Sequence, residues 1–193
     1  MNNSICTLFD NILIDIHKFK SLQNLIRTDN MSDFIIIIFL FPIFFMIHEF
    51  EEIIMIQKWI NHNQIKLTQR FPHLYPIIKK ASKIDTHKFS IIVAEEFIIV
   101  STCCTISIYT GQIIYWYCCL AAFSLHLLIH LLQFIIWQKY IPAIVTTLCC
   151  LPYCIWAIYN TIHILPFQLL VFYAFIGFII GGVNLLIMHK IMI

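Results

Sequence analysis

Of the 193 residues, 61% are hydrophobic and only 11% charged, more apolar surface than a water-soluble domain of this size could hide in a core. The formal net charge of +2 comes with no compact basic stripe, which argues against nucleic acid as a partner. The composition predicts an integral membrane protein.

Residues 1–33 are polar enough to stay outside the hydrocarbon, and the first long apolar run begins at Phe34, so no cleavable signal peptide is expected. Within this arm Leu8, Phe9, Ile12, Leu13, Ile16 and Phe19 recur at helical spacing beside Asp10, Asp15, Lys18 and Lys20. That pattern predicts a short amphipathic helix lying on the membrane surface. Five spans follow: Phe34 to about Trp59, Phe89–Thr110, Ile113–Trp137, Ile141–Tyr159 and Pro166–Met188. Each is a continuous apolar run of membrane-crossing length rather than an alternating one, so helices satisfy the backbone and barrel strands do not. The expected fold is an all-α polytopic transmembrane bundle over 34–193, behind the N-terminal arm.

The connection 61–88 carries Lys66, Arg70, Lys79, Lys80, Lys83 and Lys88, whereas the later connections carry only Lys139. By the positive-inside tendency this basic loop is cytoplasmic, which gives a multi-pass cell-membrane protein with its N-terminus out and its C-terminus in. Seven of the eight cysteines fall inside spans, and the adjacent pairs lack C-x-x-C spacing, so they read as packing residues. Trp59, Trp137 and Tyr140, near span ends, read as interfacial anchors. Gly177, Gly181 and Gly182 read as small residues for close helix packing, and Asn184 as an interhelical hydrogen-bonding group.

All five glutamates lie inside predicted spans: Glu49, Glu51 and Glu52 in the first, Glu95 and Glu96 in the second. An ionised carboxylate at membrane centre costs about 3 kcal/mol on insertion scales, and no lysine or arginine stands mid-span to compensate. Protonation, water or a bound cation must do so. In the first span Glu51 and Glu52 stand three and four positions after His48 and share its face, while Glu49 turns away by about 100°. In the third, His126 and His130 stand at i and i+4, the spacing by which one helix presents two imidazoles to one ion. Counted from the cytoplasmic ends, Glu52, Glu96 and His130 are each about 12 Å deep. The expected site is a divalent-metal centre drawn from His48, Glu51, Glu52, Glu96, His126 and His130, with Glu51, Glu52 and Glu96 as catalytic carboxylates. Zinc is favoured, and a di-metal pair of iron or manganese is the alternative. Of the adjacent pair, Glu96 rather than Glu95 is expected to point inward, and Glu49 is expected outside the site.

At these residues the chain resembles the HXXEE family of small multi-pass membrane proteins. The likeness rests on His48-x-x-Glu51-Glu52, on the stretch Ala94–Phe97, and on His130 followed by Tyr140-x-Pro142 and Thr146. It covers roughly 34–160. Where the family typically has glycine after that proline, Ala143 stands here. The resemblance implies membrane location and a common polar site, without supplying a reaction.

Three functions compete. The first is a metal-dependent intramembrane hydrolase acting on a lipid or membrane-embedded peptide, with a carboxylate as general base. The second is a proton- or cation-coupled transporter, for which five helices without a repeat would need a homodimer. The third is a non-enzymatic immunity or structural protein, in which the polar cluster sets specificity.

Overall fold

The structure, a computed structural model, describes residues 31–83 and 85–192. The expected surface helix of the N-terminal arm lies outside them. Helix α1 runs Met31–Arg70, followed by a 3-10 turn at Pro72–Leu74 and a short α2, Tyr75–Ala81. Then come α3 (Thr86–Thr110), α4 (Ile114–Trp137), α5 (Ile144–Ile162) and α6 (Phe167–Met192). Five of these are long and apolar enough to cross a membrane, which agrees with the five spans read from the sequence.

The bounds differ most in α1, which has 40 residues and is thus about 60 Å long, twice the hydrocarbon thickness. That is longer than a single crossing requires. Residues 61–70, expected as loop, are helical because no glycine or proline interrupts them before Pro72 and because Arg70 is tethered. The Arg70 guanidinium donates to the carbonyls of Ile136 (2.8 Å) and Trp137 (3.3 Å), capping the C-terminal end of α4. Trp59 Nε1 donates to Tyr140 O at 2.8 Å, and the Trp59 and Trp137 rings meet edge to face at 5.9 Å. Trp137 is therefore buried in a small cluster with Ile141 and Ile144 rather than presented to headgroups.

The main core is a seam of three helices. On α1 the residues Phe34, Ile38, Phe41 and Phe45 recur at spacings of four, three and four, and all are buried. On α4 the same rhythm gives Trp116, Leu120, Phe123 and Leu127, and on α5 it gives Thr147, Cys150, Cys154, Ala157 and Thr161. A seven-residue rhythm keeps one stripe of each helix against its neighbours. Phe41 packs edge to face on Phe123 at 5.7 Å, and the Tyr153 hydroxyl donates to Ile37 O at 2.7 Å, fixing α5 to α1. Pro42 and Pro152 sit inside α1 and α5, where neighbouring helices tolerate the lost amide. Residues off the seam, such as Ile36, Phe39, Ile54 and Ile155, are exposed, as a lipid-facing surface requires. Helix α6 packs chiefly on α4, where a Cβ on Gly177 would come within 2.2 Å of Cys118 O. Only glycine permits that approach. The seven described cysteines are free thiols.

Candidate metal centre

The seams that build the core also carry the polar residues. On α1 the series continues from Phe45 to His48 and then Glu52, and on α4 from Leu127 to His130, with His126 one residue before Leu127. The periodicity that hides phenylalanine one turn earlier thus turns imidazoles and a carboxylate into the same helix junction. His48 has 0% exposure and His130 6%.

His48, Glu52, His126 and His130 each bring one ligand atom to within 4.8 Å of the others. His126 Nε2 and His130 Nε2 are 3.0 Å apart, and Glu52 Oε2 is 3.6 Å from each. The His48 ring centroid is 5.1 Å from that of His126 and 5.2 Å from that of His130. Its Nδ1 faces Thr146 Oγ1 at 3.4 Å, while Nε2 is buried without a hydrogen-bond partner among the described residues. An unpartnered buried nitrogen costs about 1–3 kcal/mol, so such an atom asks for a ligand. Donors bound tetrahedrally at about 2.0–2.1 Å from zinc stand roughly 3.3 Å apart, between the 3.0 and 3.6 Å separations of this group. The donor set suits a divalent ion in its chemistry, and the group, which spans up to 4.8 Å, would have to draw in by about an ångström at its widest to bind one. His130 Nδ1 also has no partner among the described residues, so on that side the imidazole lacks the acceptor that usually orients a ligating histidine.

Glu51, expected among the ligands, is engaged elsewhere. Its carboxylate accepts hydrogen bonds from Thr146 N (2.8 Å), Thr146 Oγ1 (2.7 Å) and Tyr140 Oη (2.9 Å). Thr146 is the third residue of α5, whose N-cap, Ala143, offers no side-chain cap and stands in the left-handed region at φ 67°. The first acid of the pair thus caps a helix from another segment of the chain, satisfying a first-turn amide and meeting the positive end of its dipole. Burial, and then the bond to Glu51, push the Tyr140 phenol up to about 12, so this donor keeps its proton throughout the ordinary pH range.

Glu49, expected to turn away, is 4% exposed, and its Oε1 lies 3.8 Å from His126 Nε2. α1 is enclosed on two sides, so a residue 100° from His48 faces a cavity between α1, α3, α4 and α6 instead of lipid. Glu52, Glu96 and His126 line the same cavity, and among the described residues no lysine or arginine does. Glu96 is thus across the cavity from the imidazoles and outside the compact ligand group. Its neighbour Glu95 accepts from Asn184 Nδ2 on α6 at 3.0 Å, the interhelical role expected of Asn184.

Over residues 39–157, more than half of the chain, the sequence matches the family described as a protein of unknown function with HXXEE motif. The chain belongs to this family. No curated protein and no solved structure matches it. In the HXXEE motif, His48 and Glu52 meet the two histidines of α4, while Glu51 reaches Tyr140 and Thr146. The sequence presents Tyr140 as an interfacial anchor and Thr146 only as part of a pattern. Their spacing around Pro142, at the start of a helix, was the available sign of a capping role. The match ends before α6, so the wall of the cavity that bears Gly182 and Asn184 lies outside it.

Proposed function

We propose that this HXXEE protein is a metal-dependent hydrolase of the membrane, with one zinc or similar divalent ion held by His48, His126, His130 and Glu52. The observation that carries this reading is the convergence of four ligand atoms within 4.8 Å of one another, beside a buried His48 nitrogen that no group among the described residues satisfies. Three imidazoles are the donor set of open catalytic zinc sites; with Glu52 as a fourth ligand, water would have to enter as a fifth, and a compact group of four favours one ion over a carboxylate-bridged pair. When bound, such an ion brings the pKa of a coordinated water to about 7 and polarises a carbonyl. Glu49, beside His126, takes the proton as general base, and Glu96 faces the same space from α3 as a second proton carrier. Glu51 is a positioning residue that sets α5, and with it Thr146, against His48.

The catalytic level lies about 12 Å inside the cytoplasmic end of the spans, with the N-terminus out and the C-terminus in. The substrate is accordingly a membrane-embedded one. Purified in mild detergent and loaded with zinc, the protein should release fatty acid from neutral acyl esters or amides. Chelation should abolish that release, and Glu49→Gln should reduce it at least a hundredfold while leaving bound zinc in place. Turnover that survives both treatments would end this assignment.

The carboxylate-lined cavity also supports a second reading, proton or cation transport, because its lining runs from Gln57 and Ala81 to Tyr115 and Tyr173. Proton flux into liposomes that Glu52→Gln abolishes, with no hydrolysis, would favour it.

A further inference from the structure

The cavity beside the carboxylates has a volume of about 760 Å³, and its lining continues well beyond them. Its lining residues on α4 reach from His126 back to Tyr115, and those on α6 from Asn184 back to Tyr173. Each stretch rises about 16 Å at 1.5 Å per residue. Along it the walls are Cys103, Cys118, Ala122 and Phe178, with the glycines of α6. Gly181 meets Ala122 there, whereas a Cβ on Gly182 would meet nothing within 4 Å, so the cavity stays open beside it. α3 and α6, its flanks, touch each other over a short stretch only.

We infer that this arm of the cavity seats the acyl chain of an uncharged lipid ester or amide, its carbonyl level with Glu52 and His126 and its tail toward Tyr115 and Tyr173. That an acyl chain occupies the arm stands on the cavity alone; where the carbonyl sits rests on the hydrolase proposed above. An extended peptide does not suit the arm, because its amides would meet apolar walls without partners. A phosphodiester next to the carbonyl does not suit the head, because Glu49, Glu52 and Glu96 face that position with no cation among the described lining residues. An extended chain advances about 1.2 Å per bond, taking roughly 3.6 Å per three backbone bonds as the guide, so 16 Å holds about 13 carbons.

The test is photolabelling of the purified protein with a myristoyl amide bearing a diazirine at its chain end. Labels should fall near Tyr115 and Tyr173, and unlabelled amides should compete increasingly well from about 8 to about 14 carbons and then level off. An acyl phosphate of the same length should not compete. Gly182→Phe, which fills the open space, should cut labelling at least fivefold without lowering bound metal, whereas Leu186→Phe on the exposed face of α6 should leave labelling unchanged. Labelling spread over lipid-facing residues such as Ile155, or competition indifferent to chain length, would overturn the inference, and the chain-length series remains decisive should Gly182→Phe not fold. Specific labelling of a protein that binds no metal would leave this inference standing and remove the hydrolase, and diffuse labelling of a metal-bound protein would do the reverse.

Discussion

Glu51→Ala removes the acceptor of three hydrogen bonds that join α1 to the start of α5. Bonds to a charged group contribute about 1.5–3 kcal/mol when well buried, and about 1 kcal/mol each is appropriate here because Glu51 is only half-buried. One bond is recoverable, since Thr146 Oγ1 already lies 3.2 Å from Ala143 O. The Thr146 amide and the Tyr140 hydroxyl have no such alternative, and α5 loses its only described cap, itself worth about 1 kcal/mol. The variant should be destabilised by about 2–3 kcal/mol. Glu51→Gln, which keeps a neutral acceptor, should lose about 1 kcal/mol, and Tyr140→Phe about the same. SDS- or urea-driven unfolding in mild detergent, followed by tryptophan fluorescence, reads this directly, because Trp59 and Trp137 sit in the cluster beside the cap. All three variants should keep their metal. Glu51→Ala matching the parent within about 0.5 kcal/mol would refute the capping role, and loss of metal from folded Glu51→Gln would return Glu51 to the ligand set.

Ala143→Gly should raise stability by about 0.5–1 kcal/mol, since alanine at φ 67° carries a left-handed strain of about 1–2 kcal/mol that the entropy of glycine only partly offsets. The same unfolding assay reads it, and a destabilised variant would show that the left-handed backbone is not the limiting feature there. A reporter fused after Lys190 should behave as cytoplasmic, and one placed at the N-terminus should behave as external. An external C-terminal signal would reverse the orientation and with it the depth assigned to the catalytic level.

The spans were legible because each is a continuous apolar run, and apolar length is what a bilayer measures. His48, Glu52, His126 and His130 were legible because helical spacing alone puts each pair on one face. Glu51 and Glu49 were not, for opposite reasons. Glu51 shares the face of His48 on a helical wheel, but its partners Tyr140 and Thr146 are about ninety residues away, and only the turn before α5 brings them back. Glu49 leaves that face, yet α3 and α4 close around α1 far enough to enclose it as well. Residues 61–70 fall in the basic connection between the first two apolar runs, yet they continue the helix of α1. Their order depends on Arg70 capping the carbonyls at the end of α4, a contact that no local pattern announces.

Metal content and coordination test the central claim most directly. Mass spectrometry of the intact protein, with X-ray absorption at the zinc edge, should show one ion per chain with nitrogen and oxygen neighbours at about 2.0–2.1 Å and the multiple-scattering signature of imidazole. A His48→Ala, Glu52→Ala, His130→Ala triple variant should purify folded and without the ion. A parent protein that takes up no stoichiometric zinc, iron or manganese, or a triple variant that keeps it, would contradict the account.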